Sequence, residues 1–280
     1  MLIPRHWAKA TGSADDPAGK RFALRIWGWS DRDIAGAATL ARRRLSEAVA
    51  RVARGGVSDQ AYFYGRAPLR EEIIRTVASP DTAMVTRNRY GALVLNTARV
   101  PFIDVDLPEG GSGGGGFLKS LFGGRKAGVG EATLNKVREA CARHSRTTFR
   151  IYRTAAGYRV LATDLLIRPE SQQALDLLND FGADPFFAKL CKLQSSFRAR
   201  LTPKPWRIDC PLPPGGHPRT DPEAERKFAE WLGGYEEKSR GRAVCEFVES
   251  RGPGRVIEEV APILDDHDAA CGAKTGLPLA

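Results

Sequence analysis

Val100-Pro101-Phe102-Ile103-Asp104-Val105-Asp106-Leu107-Pro108 is a short apolar run that carries two aspartates and stops at a proline. Side chains alternate between the faces of a strand, so Asp104 and Asp106 project from one face while Ile103, Val105 and Leu107 project from the other. Two carboxylates one pleat apart repel each other unless a positive charge lies between them, and a divalent cation held through oxygen is the usual remedy. A glycine tract follows at once, Gly110-Gly111-Ser112 and then Gly113 to Gly116. It lacks the GxxxxGK[ST] spacing, and the GxGxxG match of Gly111, Gly113 and Gly116 falls inside a glycine-rich run and is not read as a phosphate cradle. Residues 110–128 therefore read as a glycine-rich insertion in a surface loop.

Upstream of this run, Phe22, Leu24 and Ile26 alternate as in a strand, and Ile34, Ala38, Ala41, Leu45, Ala48 and Val52 make the apolar stripe of a helix that ends at Gly55-Gly56. The arginines on its other face read as a solvated surface. The aromatic cluster Tyr62-Phe63-Tyr64 reads as a loop anchor. A short helix is expected from Pro68 to about Val77, then strands over 83–87 and 90–97. Downstream, a helix over 131–144 leads to a hairpin, Thr148 to Thr154 and Tyr158 to Thr163, turning at Ala155-Ala156-Gly157. Helices over 170–181 and 184–193 precede the strand Phe197-Arg198-Ala199-Arg200-Leu201. After a proline-rich stretch come a helix over 222–232, a strand over 243–249 and a closing segment over 257–270. Strands and helices interleave without βαβ regularity, which predicts a mixed α/β (α+β) fold with a single, mainly antiparallel sheet and flanking helices. Residues 1–19 read as a flexible N-terminus, 20–210 as the core and 211–280 as an extension.

The 280 residues carry 43 Lys+Arg against 33 Asp+Glu, a net charge of +10 that favours anionic partners. A hydrophobic content of 42% argues against wholesale disorder. The cysteines, Cys141, Cys191, Cys210, Cys245 and Cys271, are far apart and form no CxxC pair. That argues against a zinc ribbon and a disulfide framework, and points to reduced thiols in the cytoplasm. No apolar leader opens the chain and no run is long enough to cross a bilayer, so no membrane partner is expected. No Gly-x-Ser-x-Gly elbow or Cys/His pairing stands out, so nucleophilic catalysis has no visible support. Asp265-Asp266-His267-Asp268 reads as a helix end from which His267 and Asp268 could reach a main site.

Three segments converge on phosphate and metal chemistry. They are Asp104 with Asp106, the hairpin that places Arg159 two residues past Gly157, and the basic run Arg198, Arg200, Lys204 and Arg207. Phosphoryl transfer needs cations to hold a polyphosphate and metal ions to align the attacking and leaving oxygens. Each segment also has a plainer reading: the aspartates can pair with Arg198 and Arg200 with no metal at all.

The order of these segments resembles the archaeo-eukaryotic primase superfamily of primase–polymerases. Phe102-Ile103-Asp104-Val105-Asp106 is similar to its acidic motif, Thr154-Ala155-Ala156-Gly157-Tyr158-Arg159 to its hairpin motif, and Phe197 to Lys204 to its basic nucleotide-contacting stretch. Arg159 stands where the family has a histidine. The resemblance spans about residues 20–210. It implies a primase–polymerase-like core in which Asp104 and Asp106 hold Mg or Mn, Arg159 joins them in catalysis, and Arg198, Arg200 and Lys204 contact phosphates. A third metal carboxylate would be Asp209 or Glu246. The implied partners are a nucleoside triphosphate or nucleic acid, and the implied activity is metal-dependent nucleotide or nucleic-acid binding with nucleotidyl transfer. The alternative is a catalytically inactive nucleic-acid-binding or protein-interaction domain of the same fold. The stretch Phe197 to Arg207 and the Leu277-Pro278-Leu279-Ala280 end also resemble an uncharacterised bacterial protein family.

Overall fold

A computed structural model of the chain describes residues 1–56, 68–79, 81–108 and 123–280, with only the backbone described over 123–127. The aromatic cluster at 62–64 and most of the glycine-rich insertion lie outside the described residues. The chain divides into two compact units, Leu2–Ile73 and Ile74–Ala280, with Met1 grouped in the second.

In the smaller unit, β1 (His6–Asp15) pairs antiparallel with β2 (Arg21–Ser30) along its whole length, from His6 opposite Ser30 to Asp15 opposite Arg21. Residues 6–15, expected within a flexible terminus, are thus an ordered strand, because β2 satisfies the backbone groups of an otherwise polar segment. Helix α1 (Ile34–Ala53) starts at Asp33, whose carboxylate accepts from the Gly36 amide at 2.6 Å. It lies so close to β2 that a Cβ on Gly28 would sit 2.2 Å from the Ala41 nitrogen.

The larger unit holds two four-stranded antiparallel sheets where a single sheet was expected. One runs β10 (Cys245–Arg251), β7 (Phe149–Thr154), β8 (Gly157–Ala162), β6 (Phe102–Asp106). The other runs β3 (Glu72–Val77), β4 (Ala83–Arg87), β5 (Leu93–Thr97), β9 (Phe197–Arg200). β3 replaces the short helix expected up to Val77; Ile73, Ile74, Thr76 and Val77 are β-branched residues that favour a pleated strand. Helices α2 (Gly123–Arg143), α3 (Gln172–Asp180), α4 (Pro185–Gln194), α5 (Pro222–Ser239) and α6 (Ala261–Cys271) complete the unit.

One core unites both sheets, with Val85 and Leu95 from the second, Phe102, Ile103, Ile151 and Val160 from the first, and Leu178 from α3. Residues 211–280 do not stand apart from it. β10 pairs with β7, and Val244, Ile263 and Cys271 are part of the same apolar cluster. Gly157 shows how tightly the hairpin sits against β6: a Cβ there would lie 2.0 Å from the Val105 carbonyl oxygen.

A candidate anion site where two sheet edges meet

β6 and β9 are edge strands of their respective sheets and lie side by side. The strand carrying Asp104 and Asp106 therefore lies beside the strand carrying Arg198 and Arg200. The pleat leaves Ile103 and Val105 buried, Asp104 half-buried and Asp106 exposed.

Arg159 on β8 is directly opposite Asp104 in the strand register. Its Nε donates to Asp104 Oδ1 at 2.8 Å and its Nη2 to Oδ2 at 3.3 Å. Its Nη1 donates to the Arg200 carbonyl oxygen at 2.8 Å. The arginine side chain is 1% exposed while that of Asp104 is 37% exposed. Burial alone would weaken the guanidinium's hold on its proton, but the charge and hydrogen bonds of Asp104 outweigh it and raise its pKa. Asp104 is thus ion-paired with Arg159, which the β6–β8 register puts one strand away.

Both oxygens of Asp104 face the guanidinium, while the side chain stays 37% exposed. Asp106 is held up from the ordinary carboxylate range by burial and by the negative charges of Asp104 and Asp184, against the pull of Lys204 and Arg207. Asp184 caps α4 by accepting from the Phe186 amide at 2.9 Å. Its charge is one of those that raise Asp106. Glu246 is paired with Arg153 at 2.7 Å. Asp209 is exposed, with a left-handed φ of 49° just beyond a single 3-10 turn, Pro205–Arg207.

The cations are crowded. Arg200 is pulled down to about 10 by burial and by the charges of Arg159 and Arg207. Lys204 is lowered by burial and by Arg200 and Arg207. Two donor atoms in this group, Arg200 Nε and Arg207 Nη1, are buried without a hydrogen-bond acceptor. Arg198 sits opposite Asn96 in the β5–β9 pairing, and its charge acts on the buried Cys191 thiol, which burial raises to about 12. Beside the cations, Trp206 is 51% exposed and meets Tyr90 edge-on at 5.3 Å, with Lys204 Nζ 5.4 Å from the Trp206 ring centre.

His267 also reaches this region. It is fully buried, with Nε2 3.4 Å from Arg159 Nη1 and Nδ1 3.2 Å from Asp268 Oδ1. Asp265 is exposed and Asp266 pairs with Arg75. Asp184, Trp206 and the cysteines around His267 escaped the sequence reading. An i,i+4 spacing of His267 and Cys271 on one helix face was the available signal for the last of these.

Among the described residues, no helix is long and apolar enough to cross a membrane. No family model, curated protein or solved structure matches the chain.

Proposed function

We propose that the protein binds a phosphorylated ligand, a nucleoside triphosphate or a nucleic-acid end, on Arg200, Lys204 and Arg207, with Trp206 available to stack a base. The observation that carries this reading is the pair of buried guanidinium donors, Arg200 Nε and Arg207 Nη1, that have no acceptor in a group of mutually repelling cations. A buried unsatisfied donor costs free energy, and phosphate oxygens would supply the missing acceptors and cancel the repulsion. An exposed aromatic ring beside cations is what sequence-tolerant stacking of bases uses. In this reading Asp104 orients Arg159, and Arg159 fixes the Arg200 backbone through its carbonyl. Five buried free cysteines agree with a protein of the reducing cytoplasm.

A second reading keeps the implied metal: a divalent ion, Mg or Mn, at Asp104 and Asp106 ahead of nucleotidyl transfer in a primase–polymerase-like core. The raised pKa of Asp106, with Asp104 and Asp184 both adding to it, favours this reading, since a cation would relieve that repulsion. It requires Arg159 to release Asp104.

Calorimetric titration of a nucleoside triphosphate into the full chain, with a chelator, Mg²⁺ or Mn²⁺, separates the two. Binding with the chelator present that weakens with salt and tightens in Asp106→Asn supports the first. Binding that needs metal and disappears in Asp106→Asn supports the second. No binding under any condition overturns both.

A further inference from the structure

Behind Arg159, on the side away from Asp104, lies a second group of ligand-type side chains. Cys245 opens β10, and His267 and Cys271 lie one helical turn apart on α6. All three are buried, and their donor atoms lie within 4.8 Å of one another. This is the one such group among the described residues.

The His267 ring is oriented as a ligand's would be. Its Nδ1 faces Asp268 Oδ1 at 3.2 Å. Asp268 is fixed in turn by the Tyr152 hydroxyl, which donates to Oδ1 at 2.7 Å, and by Arg150 Nη2, which donates to Oδ2 at 2.9 Å. A carboxylate on one ring nitrogen sets the tautomer and leaves the other with a lone pair. That other nitrogen, Nε2, is buried and has only long contacts, to Arg159 Nη1 at 3.4 Å and Cys245 Sγ at 4.0 Å. The first is longer than a well-formed hydrogen bond between first-row atoms, and the second is at the outer limit for a bond to sulfur. A fully buried imidazole nitrogen thus faces two thiols and has only these two long contacts.

We propose that Cys245, His267 and Cys271 form a buried zinc site, with the Arg200 carbonyl oxygen as the fourth donor. That oxygen is 3.5 Å from Cys271 Sγ. Zn–S bonds of about 2.3 Å and Zn–N bonds of about 2.0 Å place tetrahedral ligands roughly 3.5–3.8 Å apart, so side-chain rotations of about 1 Å close the group on the ion. Two sulfurs and an imidazole select zinc over the oxygen-seeking Mg and Ca. The charges balance: two thiolates neutralise the dication, while Arg159 keeps Asp104. A bound ion would tie α6 and β10 to the end of β9, where Arg200 enters the anion site. The zinc site does not depend on what that site binds.

The test starts with the full chain purified under reducing conditions without chelator. Elemental analysis is expected to find zinc equimolar with protein. After removal of zinc, Co²⁺ titration should produce tetrahedral ligand-field bands and a thiolate-to-cobalt charge-transfer band, both abolished by added Zn²⁺. Cys245→Ser and Cys271→Ser should each lose the charge-transfer intensity of one sulfur. Cys210→Ser, outside the group, should keep the full spectrum. Asp268→Asn should weaken zinc binding about 10–100-fold. A zinc-stripped wild type that gives no charge-transfer band overturns the proposal without needing any variant to fold. So does an unchanged band in Cys245→Ser and Cys271→Ser.

Discussion

Arg159 is directly opposite Asp104 across the β6–β8 ladder, and its guanidinium closes on both carboxylate oxygens, at 2.8 and 3.3 Å. One end of the pair is sealed in the core and the other opens to solvent, at 1% and 37% side-chain exposure. The same guanidinium reaches the backbone of β9. It therefore joins the two sheets at the place where the cationic residues gather.

The asymmetry of the pair predicts unequal costs. Asp104→Ala strands a buried guanidinium and should destabilise the larger unit by about 3–5 kcal/mol. Arg159→Met leaves a carboxylate that water can reach, and should cost less. The double variant should cost less than the sum of the two. Urea denaturation of the four proteins gives the coupling energy, and simple additivity would show that the pair does not act as a unit.

Lys204→Ala and Arg207→Ala each remove a cation from a crowded group. Each variant should melt no lower than wild type in the absence of anions. Each should lose about 1.5–3 kcal/mol of triphosphate affinity, the worth of a charged hydrogen bond. Thermal melts with and without inorganic triphosphate read both effects, and undiminished protection by the anion would remove these residues from the site.

Trp206→Ala should separate base from phosphate. Affinity for a nucleoside triphosphate should fall by about 1–3 kcal/mol, the range for one base–aromatic stack. Affinity for inorganic triphosphate should not change. An equal loss for both ligands would make Trp206 a support for the Lys204 loop instead.

Asp106 gives a pH signature. Its folded-state pKa is raised, so the folded protein holds its proton more tightly than the unfolded chain does. The ionised form therefore costs stability above the folded pKa, and that cost disappears as the pH falls below the ordinary value of 3.8. Asp106→Asn should accordingly be more stable than wild type near neutral pH, by about 0.5 kcal/mol given how exposed the group is. The gap should close in acid. Chemical denaturation across that range checks the sign, and a variant less stable than wild type at neutral pH would mean that the pull of Lys204 and Arg207 dominates.

Much of the element order was legible in residues alone. The alternation through Phe102 to Asp106 and the turn at Ala155-Ala156-Gly157 act over a few positions, so β6 and the β7–β8 hairpin could be read directly. The same local patterning put Asp104 and Asp106 on one face and Arg198 and Arg200 on another strand. Tertiary structure decided everything that depends on register and on partners distant in sequence. Nothing in the polar segment His6–Asp15 marks it as a strand until β2 supplies its hydrogen bonds. The split into separate sheets, the choice of Arg159 as partner for Asp104, the approach of Asp184 to Asp106 and the meeting of Cys245 with His267 and Cys271 all follow from strand order and packing. A one-residue shift of β8 against β6 would turn Arg159 to the other face of the sheet, which is why that pairing is a property of the fold and not of the local sequence.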